Sequence, residues 1–445
     1  MFWKPAPAVA TTVVAFSVVT VGVAENAQRI GDRVLQLRSA VADLDGLHVP
    51  GVRDSQIDDA VAKATSYLEL AESAVVAMKQ LPQLIGSETS VRYFVGITNE
   101  AELRGIQGII GEYAIVEIDK GKISVSRTGS NTDLVDPDAL PPELVGEYSE
   151  IFGETNTEWQ NMNLSPFLEP AALQITSAWN LQTGESLDGV VLLDTVALAK
   201  WAIPKVGSVQ SAQGRVLTTW EALADYLSNG IYFEFPADQF ARKSFQSELA
   251  GQLIGAITGS SLDIRQTTQS LAKPMAEGRL VAWLNGALGG EFNTTMLARS
   301  TSNFRDDFFV GFNNMTGNKM DFYLGVEASA PSCDSVELRF SSSAKLNIDY
   351  PDYLTRRLDS DAQSSVGSYL EVNVVLPSGN SVNKVMELGE DVAFDVYPIS
   401  GNRTLVRTWV EVLATKMRDI TVGFISPTGR CSGRIHVSPL RQDVG

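Results

Sequence analysis

The stretch Gly96-Ile97-Thr98-Asn99-Glu100-Ala101-Glu102-Leu103-Arg104-Gly105-Ile106-Gln107-Gly108-Ile109-Ile110-Gly111 decides how this chain is read. Val91-Arg92-Tyr93-Phe94-Val95-Gly96-Ile97 before it is apolar and β-branched enough for a buried strand, and Gly111-Glu112-Tyr113-Ala114-Ile115-Val116-Glu117-Ile118 after it reads as a second. Arg104 is therefore expected in a glycine-rich crossing between two core strands. Backbone that approaches closely and a rigid guanidinium fork would there hold a phosphate or a carboxylate. The plainer reading is a turn in which Arg104 pairs with Glu100 or Glu102. The stretch is neither a dinucleotide fingerprint nor a P-loop, since it lacks G-x-G-x-x-G before a helix and any Gly-Lys-Ser/Thr.

Working outward, Asp119-Lys120-Gly121-Lys122 reads as a hairpin turn into the strand Ile123-Ser124-Val125-Ser126-Arg127. A helix is expected at 169–180, a strand at Gly189-Val190-Val191-Leu192-Leu193, helices at 195–203, 218–227, 237–258 and 262–278, and a strand at Leu280-Val281-Ala282-Trp283. Strands interleaved with helices predict a layered α/β domain over residues 88–318. Residues 319–445 change character. Alternating runs such as Tyr369-Leu370-Glu371-Val372-Asn373-Val374 and Thr408-Trp409-Val410-Glu411-Val412, broken by Gly, Ser, Asn and Pro, predict an antiparallel β-sandwich. Asp306-Asp307 is expected as a solvated strand end and His436 as a strand residue of the sandwich.

Toward the N-terminus, residues 25–87 carry apolar positions at helical spacing and predict a helical stalk. Residues 5–24, PAPAVATTVVAFSVVTVGVA, are uncharged and as long as an apolar helix that crosses a bilayer. Residues 1–24 are thus expected as a single-pass signal anchor with the body extracytoplasmic, or as a cleaved signal peptide. Cys333 and Cys431 fit one disulfide in an oxidising compartment, with two unpaired thiols as the alternative.

Composition narrows the chemistry. The 445 residues carry a net charge of −18, which disfavours broad attachment to nucleic acid, so any anion must be bound locally. His48 and His436 are the two histidines, and residues 49–332 contain neither His nor Cys. That excludes a Ser-His-Asp triad, a Cys nucleophile and a His/Cys zinc site from the middle of the chain. Carboxylates, arginines, backbone amides or an oxygen-liganded ion such as Mg²⁺ remain.

Asn99-Glu100-Ala101-Glu102-Leu103-Arg104 followed by glycines, the Ile-Gly-x-Tyr strand and the Asp-x-Gly-Lys-Ile hairpin resemble the bacterial family of domain of unknown function 4012. Leu140-Pro141-Pro142-Glu143, Asn163-Leu164-Ser165-Pro166, Leu187-Asp188-Gly189, Gly207-Ser208-Val209 and Asn318-Lys319-Met320-Asp321 continue the resemblance in order. It implies a membrane-anchored envelope protein. More distantly the chain is similar to the LytR-CpsA-Psr family, which transfers polyprenyl-pyrophosphate-linked glycopolymers onto the cell wall. That similarity implies an anion clamp of Arg104, Arg127, Arg242, Lys243 and Gln246, with a lipid-linked glycan or cell-wall polymer as partner. Gln107 or Gly105, and Thr128, stand where that family has acidic residues that would help hold Mg²⁺ or act as base. Glu100, Glu102 and Asp133 are the acidic residues near enough in sequence to substitute, and no catalytic residue is assigned. The expectation is a membrane-anchored protein that binds a phosphorylated envelope glycopolymer, with transfer as its catalytic extension. The competing expectation is a non-catalytic envelope scaffold.

Overall fold

The computed structural model describes residues 27, 29–43, 54–137, 140, 142–153, 157–259, 264–295, 306–332, 334–356, 365–427 and 434–441. Its helices include α1 (residues 29–42), α2 (Asp54–Leu84), α3 (Pro142–Phe152), α4 (Leu168–Thr183), α5 (Thr195–Val206), α6 (Trp220–Asp225), α7 (Ile231–Glu234), α8 (Gln239–Gly259) and α9 (Ile264–Ala276). The chain is a mixed α/β protein with several sheets.

The first sheet is centred on β1 (Val91–Leu103). β2 (Gly108–Asp119) and β3 (Lys122–Ser130) join it as antiparallel neighbours on one side. The β2–β3 turn places Lys120 at φ 50° and Gly121 at φ 76°, the left-handed pair that a two-residue hairpin needs. On the other side β4 (Gly189–Asp194) runs parallel to β1. A two-stranded hairpin of β5 (Val209–Gln210) and β6 (Val216–Leu217) stands apart, and β7 (Leu280–Leu284) pairs antiparallel with β4 at the sheet edge. Both faces are covered. Ile97, Leu193, Tyr226, Ile231 and Leu253 form a core beneath α5, α6 and α8 on one face. Phe94, Tyr113, Leu192, Trp159 and Trp179 form a second core beneath α4 on the other. α5 follows β4 directly because Asp194 caps it, its carboxylate accepting from the Ala197 N–H at 2.8 Å.

Two five-stranded sheets follow, facing each other over a core that includes Phe312, Val336, Phe340, Val372, Val410 and Ile420. One contains β8 (Phe308–Asn314), β11 (Gly367–Val375), β14 (Asp395–Ile399), β15 (Arg403–Leu413) and β17 (Ile435–Val437). The other contains β9 (Leu324–Ser332), β10 (Ser335–Ser342), β12 (Ser381–Glu387), β13 (Glu390–Asp391) and β16 (Met417–Ile425). β8 pairs with β11, so the sandwich begins before the boundary at residue 318 that alternation predicts. The reason lies in composition, since β8 is buried along its whole length and opens on the apolar run Phe308–Phe312. Pairings in the sandwich are antiparallel except β17 beside β8, which is parallel. His436 lies in β17 as expected. Asp307 is a correction: it is 8% exposed, not solvated, and its carboxylate meets His436 Nε2 at 2.8 Å and Arg434 Nη2 at 3.3 Å.

The predicted crossing at 96–111 is also corrected. β1 continues to Leu103, leaving a tight connection at 104–107. Gly105 and Gly108 are there for close approach, because a Cβ at Gly105 would strike the Leu164 carbonyl and one at Gly108 the Asn99 carbonyl. The extended β1 carries Leu103 into the sandwich core. Around this tip the Leu103 N–H donates to Asp321 Oδ2 at 2.8 Å, and Ser438 Oγ donates to the Gly105 carbonyl at 2.6 Å.

Residues 29–42 and 54–84 are helical, as the apolar spacing predicts. Arg38 pairs with Glu72 at 2.6 Å, and Val76 and Leu84 of α2 pack on Val91, Tyr93, Leu284 and Phe292 of the body. Among the described residues no helix is long and apolar enough to cross a membrane. The segment expected to do so, and both Cys333 and Cys431, lie outside the described residues.

Arg279, fully buried, ties the two halves together: Nη1 binds Asp194 Oδ2 at 2.7 Å and Nη2 donates to the Leu440 carbonyl at 2.7 Å. Burial pushes the Asp194 carboxyl up from its ordinary range, Arg279 pulls it back, and Glu100 adds to the rise. Arg279→Met leaves Asp194 buried without its partner and is expected to cost about 3–5 kcal/mol, measured as a lower urea midpoint.

Candidate functional site

The site forms where β1 leaves its sheet, outside the carboxyl ends of the parallel pair β1 and β4, where open α/β sheets present their ligand crevices. Glu102 is its buried hinge. One carboxylate oxygen accepts from Arg104 Nη2 at 2.9 Å and the other meets Lys319 Nζ. Arg104 also donates to the Leu103 and Gln160 carbonyls. Desolvating these charges is tolerable only because each has several partners.

A cavity of about 450 Å³ opens beside them, between the first sheet, the sandwich and the start of α8. Arg104, Lys243, Lys319 and Arg407 line it against the carboxylates Glu102 and Glu371. A smaller cavity of about 80 Å³ adjoins it and is lined by Glu112, Arg242, Gln246 and Lys243. Lys243, Lys319 and Tyr353 belong to both walls. Four cations against two carboxylates give the larger cavity a positive balance in a chain of net charge −18.

Some polar atoms of the residues lining the two cavities have no protein partner. Arg242 Nη2, Arg407 Nη2 and Asn313 Oδ1 are buried and unpaired, although native interiors satisfy nearly all such groups. Arg242 is 3% exposed, held by Gln246 Oε1 at 3.0 Å and between the rings of Tyr232 and Tyr353 at 4.8 Å and 4.3 Å. Lys243 Nζ reaches Asn131 Oδ1 at 3.2 Å and Thr132 Oγ1 at 3.3 Å, and its burial lowers the ammonium pKa.

Ionisation follows from this crowding. Lys319 above all, with Arg242 and Lys243, lowers the Tyr353 phenol to about 8 against the opposing effect of burial. Burial raises Glu112 to about 7, with the Ser247 hydroxyl at 2.6 Å and Lys243 opposing the rise. A site that gathers cations and displaces the pKa values of groups in its walls suits anion recognition.

The structure brings Arg104, Arg242, Lys243 and Gln246 to these adjoining cavities, with Glu102 as the acidic partner. Glu100 points instead into the core, where Oε1 accepts from Thr195 Oγ1 at 2.6 Å and Ser228 Oγ at 3.1 Å. Asp133 caps a short turn by accepting from the Ser130 N–H at 2.7 Å. Arg127 lies over the Trp179 ring at 5.0 Å, on the face of the sheet covered by α4, and lines neither cavity. Gln107 is a structural residue, accepting from Thr98 Oγ1 at 2.8 Å and donating to the Gly278 carbonyl at 2.9 Å. Among the described residues no group of three or more His, Cys, Asp or Glu converges to hold a metal ion.

Residue-by-residue reading missed Lys319, Tyr353, Glu112, Asn313 and Arg407 as parts of the site. Lys319 carried a signal, since Asn318-Lys319-Met320-Asp321 is one of the stretches on which the sequence resemblance rests. Arg407 and Tyr353 carried none, because only the packing of the sandwich on the first sheet brings them near Arg104.

The model of the family described as a protein of unknown function (DUF4012) matches residues 88–232. Residues 88–232 belong to the DUF4012 family. The DUF4012 segment supplies β1 to β4, and with them Glu102, Arg104 and Glu112. Arg242, Lys243, Lys319, Tyr353 and Arg407 lie beyond its end, so the cavity is built jointly by the DUF4012 segment and the chain that follows. No curated protein matches the chain.

The pKa order among the tyrosines is open to measurement. Burial raises Tyr93, Tyr148, Tyr226 and Tyr232, whereas Tyr353 is lowered to about 8. Ultraviolet difference spectroscopy of the phenolate band is expected to show one early titration near pH 8 that disappears in Tyr353→Phe.

Proposed function

We propose that the protein binds a phosphorylated cell-envelope glycopolymer, polyprenyl-phosphate-linked or otherwise, through its phosphoryl group at the cavity between the DUF4012 segment and the sandwich. In this reading residues 1–24 anchor the protein and the body is extracytoplasmic. The observation that carries it is a buried guanidinium nitrogen without a partner, on Arg242, in a wall that also holds Lys243 and Lys319. A phosphoryl group offers the acceptor oxygens and the negative charge that such donors lack. The clamp is Arg104, Arg242, Lys243 and Lys319, without Arg127.

The reading is one of binding. Glycan transfer would add a group that activates the acceptor, and none is assigned.

Calorimetry with pyrophosphate tests the site. Lys243→Ala and Lys319→Ala each remove a charge-assisted contact of about 1.5–3 kcal/mol, so affinity should fall roughly ten- to a hundredfold. Native mass spectrometry of detergent-extracted protein should show a co-purifying polyprenyl phosphate that Arg242→Ala loses. A wild-type protein that carries no such lipid and binds no pyrophosphate would favour the scaffold.

The pH dependence has a definite sign. Deprotonation of Glu112 near 7 and of Tyr353 near 8 adds negative charge beside the ligand, and the lowered Lys243 loses positive charge at higher pH. Glu112 and Tyr353 act together, so pyrophosphate affinity should fall as pH rises through 7 and 8, and Tyr353→Phe should flatten the upper part of the fall.

A further inference from the structure

The wall of the larger cavity furthest in character from Lys243 and Lys319 belongs to the sandwich. Odd-numbered residues of β8 and β11 face away from the sandwich core, and the register sets Asn313 opposite Glu371 and Asn373 opposite Arg407. Glu371 Oε1 accepts from Asn313 Nδ2 and from Asn373 Nδ2, both at 2.9 Å, and its Oε2 pairs with Arg407 Nε at 3.2 Å. Arg407 is further fixed by the Ile151 carbonyl at 2.8 Å and lies on the rings of Phe152 and Tyr397 at 5.0 Å and 4.9 Å. Its charge is matched by Glu371, so this end of the cavity is close to neutral. It nevertheless contains a rigid donor and a rigid acceptor without partners, Arg407 Nη2 and Asn313 Oδ1, on cavity-lining residues 7% and 2% exposed.

A carboxylate or a second phosphate suits this wall poorly. It would satisfy Arg407 Nη2 but set its own negative oxygens against Asn313 Oδ1 and Glu371. A hydroxyl does both jobs, donating to the amide oxygen and accepting from the guanidinium. We infer that the cavity is bipolar: Lys243, Lys319 and Arg104 take the phosphoryl group, and the Asn313–Glu371–Arg407 wall takes the hydroxyls of the uncharged sugar that carries it. This rests on the phosphoryl-binding reading and narrows its ligand to a sugar phosphate with a neutral first sugar. The volume of about 450 Å³ lies within the roughly 300–1,000 Å³ of small-ligand sites, so a phosphoryl group leaves space for a sugar ring.

Calorimetry with inorganic phosphate, a panel of neutral hexose 1-phosphates and the matching methyl glycosides separates the two poles. Arg407→Lys deletes the unpaired donor and keeps the charge. Met315→Trp, at a cavity residue 51% exposed, narrows the same wall without entering the core. Thermal unfolding of both variants checks folding, and Met315→Trp carries the test if Arg407→Lys fails to fold. The wild type should prefer at least one hexose 1-phosphate over inorganic phosphate by about tenfold, the worth of one or two added hydrogen bonds. Either variant should remove that preference while changing inorganic phosphate affinity less than about twofold, and Lys243→Ala should weaken both ligands together. Equal wild-type affinities, or a preference that survives Met315→Trp, would overturn the sugar wall and leave the phosphoryl site standing. Methyl glycoside binding that Met315→Trp abolishes, without phosphate binding, would support the sugar wall and overturn the phosphoryl site.

Discussion

Glu102 holds two cations at the point where β1 leaves its own sheet, and the rest of the architecture is arranged around that buried group of charges. Arg104, Glu102 and Lys319 come from both sides of the junction, and each is no more than 5% exposed. Charges so far from water are stable only in one geometry, with every partner present. The junction therefore behaves as a fixed point. The sandwich cannot swing away from the first sheet without leaving a carboxylate or a cation unpaired in the interior. A cavity beside such a junction keeps its shape, which is what rigid, unsatisfied donors need if they are to favour one ligand over water.

Local electrostatics here run against the global field. A chain of net charge −18 repels polyanions at long range, and only a pocket with a local excess of cations overcomes that field at contact. This arrangement discriminates against extended anionic polymers that touch many points of the surface. In the proposed reading it takes a single anionic group presented at the end of a narrow ligand. Screening by salt acts mainly on the long-range repulsion and less on the buried contacts.

Much of this was legible in the sequence, and the failures have physical causes. β1, β2 and β4 were readable because strands buried on both faces are written as continuous apolar runs. The Lys120-Gly121 turn was readable because left-handed backbone selects its residues. Arg104 was found by its neighbours: it pairs with Glu102, as the plainer reading expects, and it lines the cavity. Arg127 failed because a strand's side chains alternate between faces, and strand position alone does not say which face meets the ligand. Here Arg127 is exposed and lies over the Trp179 ring, on the face that carries α4. Arg407 and Tyr353 were invisible because their role depends on contacts between residues far apart in the chain, a property of topology with no local signature. The end of the first domain was misjudged for a related reason, since β8 opens on the apolar run Phe308–Phe312 and is buried on both faces, which resembles an α/β strand more than an alternating sandwich strand.

The pairing of β17 with β8 has a consequence for the order of assembly. Leu103 enters a core completed by Leu440, the Gly105 carbonyl is capped by Ser438, and Arg279 waits for the Leu440 carbonyl. The DUF4012 segment is synthesised hundreds of residues before these partners exist. During synthesis its β1 tip is an exposed apolar end next to unmatched charge, a state that invites premature association. Closure of the junction couples positions separated by most of the chain, so it belongs to the slow, late stage of folding that high contact order imposes. The cavity, walled by the first sheet and the sandwich together, takes its final shape only once the two have docked.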